Sequence, residues 1–322
     1  MAVPNVRASL AAGWRAAAAS IWLAPVGMLV AMLCAGLALP ARLFGAAVAV
    51  RGALGGLAHD GPTPAAAIAG AMEALLHPRI AALLAGLWAA GLLLSAALRV
   101  AYLAGALPTL GHALAGTRPS PPAFATGLAY GTPRLAGTGV LVFLLELVGT
   151  GFAATVLLGT FLVSSHAHRG PGPIPAALGV AAAATLALLL PFALSTLGDA
   201  ALARSALRDE PPFQALASAA RRFMARPAAF MLTALFAAAA GWILAGSARA
   251  AANVLLGMAR SAPGWLLLGP QLLTIAMVAL IGSLLELWRI ASVAAMACHQ
   301  EPGEPCPAAT ATAPAAPGSE PR

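Results

Sequence analysis

Six apolar runs, each long enough to cross a bilayer, limit what this chain can fold into before any motif is considered. They lie at about 20–39, 80–103, 137–163, 173–196, 228–247 and 265–290. A hydrocarbon core of about 30 Å needs about 20 helical residues to span it. Lipid offers the backbone no water, so a spanning segment must satisfy its own N–H and C=O groups, which a helix does internally. The expected fold class is therefore all-α: a polytopic membrane protein of about six transmembrane helices.

The charge pattern agrees. Of the 322 residues, 61% are hydrophobic and 9% charged, against about 25% charged in an ordinary soluble domain. Nearly all of that charge falls between the runs, as expected when a central Arg or Asp costs about 2.5–3.5 kcal/mol. The net charge of +8 is scattered through short loops that flank apolar helices. Such a distribution fits anionic lipid headgroups, and a membrane-protein partner, rather than nucleic acid. All 18 basic residues are Arg, which together with abundant Ala, Gly and Pro reads as a GC-rich bacterial coding bias.

Arginines near the span ends give an orientation. Arg7, Arg15, Arg99, Arg118, Arg134, Arg204, Arg208, Arg221, Arg222, Arg226 and Arg289 fall on one side. Arg42, Arg51, Arg79, Arg169, Arg249 and Arg260 fall on the other. The richer side is expected to be cytoplasmic and to hold both termini, in a bacterial inner membrane. Arg7 and Arg15 before a long apolar run resemble the start of a signal peptide, but five more spans follow and Leu33-Cys34 lacks a lipoprotein cleavage site, so an uncleaved first helix is expected. Cys34, Cys298 and Cys306 form no disulfide framework. Residues 41–57, with Arg42 and Arg51 in a short run, read as a helix lying in the interface. The expected domains are a six-helix transmembrane domain over 1–298 and a disordered, Pro/Ala-rich cytoplasmic tail over 299–322.

The chain also resembles itself. Thr109-Leu110-Gly111-His112 recurs 87 residues later as Thr196-Leu197-Gly198-Asp199. Each is followed by a Pro-rich corner, RPSPPAF at 118–124 and RDEPPF at 208–213, and then by an amphipathic segment. The segments FATGLAYGTPRLAGTG from Phe124 and FQALASAARRFMARPAAF from Phe213 share a plan with SLAAGWRAAAASIW from Ser9. Each begins apolar, carries Arg at the membrane edge (Arg15, Arg134, and Arg221 with Arg222 and Arg226) and enters a span at once. Pro121, Pro122, Pro211 and Pro212 suit helix starts, where the missing N–H costs nothing. The expected fold is thus three repeats, each an interfacial amphipathic helix followed by a transmembrane hairpin; the competing explanation is that three GC-rich amphipathic helices look alike by composition. This plan of span, polar corner and amphipathic helix, seen at 109–134 and 196–226, resembles a loose group of bacterial six-helix inner-membrane proteins. These are the YciC-like proteins and the membrane domain that precedes some glycerophosphodiester phosphodiesterases. The resemblance covers roughly residues 5–298 and implies a fold; no phosphodiesterase domain follows, so it implies no such activity.

Few residues point to chemistry. Glu146 sits near the middle of the third span (VLVFLLELVGTGF), where an ionisable group is expensive and marks a functional candidate. It either carries a proton or cation, or is protonated and hydrogen-bonded across helices. Glu286 lies in a similar context but near a span end, where an i,i+3 pair with Arg289 accounts for it. Asp199, Arg204 and His112, at span ends, suit caps and headgroup contacts. His166-Ala-His168 lacks a third ligand, and Cys298-His299 with Cys306 is similarly incomplete, so no metal is expected, nor any cofactor. No phosphate loop, nucleophile motif or HExxH pair is present. Arg15, Arg134, Arg221, Arg222 and Arg226 are the expected headgroup contacts. The function expected is that of a non-enzymatic structural or accessory membrane protein. The alternative is a small-solute transporter or permease component using Glu146.

Overall fold

The computed structural model describes residues 6–59, 61, 63–166, 173–258 and 264–298. Its elements are α1 (Val6–Ala19), α2 (Leu23–His59), α3 (Pro64–Leu76), α4 (Pro78–Leu114), α5 (Pro121–Thr126), a π-helical turn at Gly127–Gly131, α6 (Thr132–His166), α7 (Pro173–Arg208), α8 (Pro212–Ala225), α9 (Pro227–Met258) and α10 (Gly264–Cys298). Among the described residues six stretches are long and apolar enough to cross a membrane: Leu23–His59, Pro78–Leu114, Pro121–Val156, Gly179–Arg208, Pro227–Leu244 and Leu272–Cys298. They match the six sequence runs in order. The chain has the all-α fold of a multi-pass membrane protein.

Proline sets many of the starts. Pro64, Pro78, Pro121, Pro173, Pro212 and Pro227 are each the first residue of a helix, where a fixed φ and an absent N–H fit the geometry. The α3 start is also capped, by the Thr63 hydroxyl accepting from the Ala66 N–H at 3.2 Å. At the other end of α7, Asp209 has φ +57°, the left-handed conformation that commonly stops a helix.

Three details depart from the sequence reading. Residues 41–57 are not a separate interfacial helix but continue α2, which runs 37 residues with Pro40 inside it. At about 1.5 Å per residue that exceeds one bilayer core. The apolar character of Ala, Val, Leu and Phe in 41–57 lets the helix continue past Arg42 and Arg51. Second, α3 was not anticipated. Third, the segment after Phe124 does not break before its span, since α5, the π turn and α6 run on as one helical stretch. Pro133 lacks an N–H and crowds the preceding turn, and the wider π turn just upstream accommodates such a disruption.

The chain forms two compact units, one of Met1–Pro25 with Val100–Arg322 and one of Val26–Arg99. In the smaller unit α2 and α3 meet through glycine: a Cβ on Gly56 would stand 3.0 Å from the Ala66 carbonyl carbon, and one on Gly70 2.9 Å from the Gly56 backbone. Small residues permit this approach where lipid supplies no hydrophobic drive. In the larger unit α6 packs on α7, α9 and α1 on α10, and α7 on both α8 and α10. Its core includes Leu23, Leu103, Leu107, Leu110, Leu287 and Val293, all essentially inaccessible. The spans turn large side chains outward, among them Leu188, Phe236, Trp242 and Leu272. An aqueous surface could not carry so much contiguous apolar area.

The Thr-Leu-Gly motif has a local explanation. Thr109 and Thr196, both fully buried, each donate to the carbonyl four residues back, Gly105 and Phe192, at 2.8 Å. The glycines then admit a neighbour: Leu207 lies against Gly111 and Val142 against Gly198. Helix α1 docks by the same means, for a Cβ on Gly13 would fall 2.7 Å from the Ser292 backbone nitrogen. We therefore expect Gly13→Ala to lower stability by about 1–3 kcal/mol through overpacking. Gly36→Ala, where the space is open, should be neutral or stabilising by up to about 1 kcal/mol. Thermal unfolding of both variants in detergent checks the pair.

Candidate functional site

The strongest concentration of polar chemistry is a charged group buried between α7 and α10. Arg289 forks onto Glu286 one turn back, with Nε donating to Oε2 at 2.8 Å and Nη2 to Oε1 at 2.7 Å. Its Nη1 pairs with Asp199 of α7. The side chains of Arg289 and Asp199 are 10% and 3% exposed, whereas Glu286 is 45% exposed. An isolated charge in such a place is prohibitive, and pairing with hydrogen bonds is what permits it. Arg suits the task because its planar fork meets two carboxylates at once.

The surroundings fix α10 from the other side. Trp288 Nε1 donates to the Leu10 carbonyl of α1 at 2.9 Å, and its ring meets Trp14 edge-on at 5.5 Å. Nearby in the same unit, the Trp22 and Tyr102 rings lie 5.9 and 6.4 Å from Phe124. The Tyr102 hydroxyl and the Ser20 and Ser292 hydroxyls are buried without a hydrogen-bond partner among the described residues.

A second group closes the C-terminal end of α10. Arg204 donates through Nη1 to the Ala297 carbonyl at 3.0 Å and through Nε to Glu210 Oε2 at 3.0 Å and Ser218 Oγ at 2.6 Å. Its Nη2 also pairs with Glu210. Arg208 Nη2 donates to the Cys298 carbonyl at 3.2 Å. The last carbonyls of a helix have no partner within it, and cations there also meet the negative end of its dipole. Ser218 in turn donates to Glu210 Oε2 at 2.6 Å. Burial alone would raise the Glu210 carboxyl, but hydrogen bonds from Arg204 and Ser218 and the charges of Arg204 and Arg208 outweigh it, holding the group below its ordinary 4.5. Arg134 pairs with Asp209 across the same corner, but both are 66% exposed, so that contact adds little.

The sequence candidates separate on this frame. Glu146 is half-buried on α6 between Val142 and Gly149, which lie against Gly198 and Leu194 of α7. Glu286 forms the expected i,i+3 pair, though with a buried arginine it shares with Asp199. Asp199 and Arg204 are not simple caps or headgroup contacts; they join α7 to α10, because their side chains turn into the bundle rather than outward. His112, near the end of α4, meets the Thr117 hydroxyl at 3.3 Å. Arg15 and Arg221 are exposed, while Arg222 and Arg226 are half-buried. His168, the tail and Cys306 lie outside the described residues. Among the described residues no three His, Cys, Asp or Glu converge as metal ligands.

One signal for the buried group was present in the sequence. Ser283-Leu284-Leu285-Glu286 follows Thr196-Leu197-Gly198-Asp199 by the same 87 residues that separate the first two motifs. It places Glu286 in register with Asp199 and His112. Leu285 in place of glycine hides the match. Compared with family models, curated proteins and solved structures, the chain matches none.

Asp199, Glu286, Arg289, Arg204 and Glu210 all bond from one element to another or within a turn. Breaking the buried pair by Arg289→Met or Asp199→Leu alone should cost about 3–5 kcal/mol, and the double variant should recover much of it. A double-mutant cycle on thermal unfolding measures the coupling. For Glu210, whose pKa is lowered in the fold, the stabilising contribution is complete above the unfolded value and is lost as pH falls below about 4.5. The stability gap between wild type and Glu210→Gln should accordingly narrow on acidification, as read by unfolding between about pH 3 and 7.

Proposed function

We propose that this chain is a structural or accessory protein of a bacterial inner membrane, without catalytic activity, whose short arginine-bearing helices contact anionic lipid headgroups. The observation that carries this reading is a division of labour among its charges. The buried charges hold helices together, whereas the short helices turn charge and apolar bulk outward side by side. Helix α1 exposes Arg15 and Trp14, and α8 exposes Arg221 with Phe213 and Met224. Exposed Tyr130 marks the π turn ahead of Arg134. A helix with apolar side chains for the acyl boundary and arginines for phosphates lies in an interface plane.

The order of elements supports a threefold plan: α1 before α2 and α4, α5 before α6 and α7, α8 before α9 and α10, with α3 as an insertion in the first part. On this plan the three short helices share the cytoplasmic face with both termini. Kinship with the YciC-like proteins belongs to the same proposal, resting on the corners at 118–124 and 208–213.

Two measurements test it. In a variant with its cysteines replaced by serine, single cysteines at 118 and 208 should label only from the cytoplasmic side, and those at 60 and 168 only from outside; the opposite pattern overturns the orientation. In proteoliposomes the protein should move no solute. A flux that Glu146→Gln abolishes would replace this reading with a transporter.

A further inference from the structure

We infer that the part of α2 beyond Arg42 is a seam through which two copies of this chain pair side by side. Leu43, Ala47, Val50, Leu54 and Leu57 follow one another at spacings of four, three, four and three. That alternation keeps one face of a helix turned toward another helix, because a mean period of about 3.5 residues lets each side chain drop into a hole on the facing surface. The described residues leave this face open. Leu43, Val50 and Leu54 are 66%, 59% and 62% exposed, Ala47 is exposed and Leu57 is half-buried. The opposite face of α2 is the occupied one, with Gly45 against Leu84 of α4, and Gly52 and Gly56 against Gly70 and Ala66 of α3.

Lipid does not account for the stripe. Helix α2 runs 37 residues, about 55 Å at about 1.5 Å per residue, against a hydrocarbon core of about 30 Å. Inclined by about 40°, the steep end of the usual range for a span, it would still reach across about 42 Å. The charge-free stretch from Leu23 to Ala41 already supplies a span of about the required 20 residues. Arg42 and Arg51, both exposed, mark the part that overruns the core. Apolar side chains there would stand bare beside headgroups and water. A second copy fits them because it brings an identical stripe. Inserted in the same membrane with the same topology, it brings that stripe parallel and in register. Leu43, Val50 and Leu57 then meet their own counterparts, as do Ala47 and Leu54, and the small Ala47 lets the backbones approach. Charge agrees with this pairing. Arg51 flanks the seam at the position that faces Ala46 of the second copy, and Arg42 stands off it, so like charges are not opposed.

The experiment uses the full chain in its membrane, with the native cysteines replaced by serine and oxidative cross-linking as the readout. Leu43→Cys, Val50→Cys and Leu57→Cys should each give a species of twice the chain's 31.9 kDa, several-fold more of it than Arg42→Cys, which is exposed but off the stripe. With Leu43→Cys as reporter, Val50→Glu together with Leu54→Glu should cut the dimer roughly tenfold or more, since each copy then brings unpaired carboxylates to the contact. If that variant fails to reach the membrane, Val50→Ala with Leu54→Ala is read instead; a several-fold loss is expected, and an unchanged yield overturns the seam. Equal cross-linking from Arg42→Cys, or none from the three stripe positions, also overturns it. A product of any mass other than the doubled one shows a different protein on the stripe and overturns the second copy as its occupant.

Discussion

Arg289 is the interaction on which the larger unit depends. A guanidinium cannot sit between apolar helices by itself, so its place is set by where two carboxylates can meet it. Glu286, on the same helix, fixes the side chain's rotamer; Asp199, on α7, fixes the distance between helices. The aromatic contact of Trp288 with Trp14 and the close seat of Gly13 on Ser292 then hold α1 against the opposite flank of α10. Removing the ion pair would leave these contacts without a common register, because helices in lipid have no hydrophobic drive to find one another.

Polar groups in a bilayer are costly, and the charged ones that are buried in the larger unit sit where helices meet. Buried threonines on α4 and α7 bond their own backbone and so bring no unmet demand to the interior. Glycines beside them open room for Leu207 and Val142. The corner after α7 combines a left-handed Asp209, a pair of prolines and Glu210, which together reverse the chain and supply the carboxylate that orients Arg204. These devices are short-range in sequence, yet each positions a contact between helices far apart along it.

How much of this was legible follows from the range over which each signal acts. Span number and helical class follow from long apolar runs, because the bilayer leaves the backbone no alternative. Proline at the starts of α5 and α8 is equally local. The continuation of α2 through 41–57 was hidden since Arg42 and Arg51 look like a boundary, although a helix tolerates them wherever its surroundings do. The partnership of Asp199 with Arg289 depends on helix packing, which spacing along the chain does not reveal. Glu286 was correctly paired with Arg289 by its i,i+3 spacing, but its membership in a buried group was masked by Leu285 standing where the motif elsewhere has glycine. Glu146, conspicuous in sequence, is half-buried on α6, between residues that lie against Gly198 and Leu194 of α7.

The seat of α1 against α10 has a consequence for synthesis. Helix α1 is made well before the surface it docks on, which belongs to α10, and Arg204 and Arg208 reach for carbonyls at the end of that same span. Until α10 is in place, Asp199 lacks its cation and Trp14 its aromatic neighbour. The packing of the larger unit is therefore complete only once α10 is made, and a chain interrupted before it would hold spans in the bilayer without the element that locks them together.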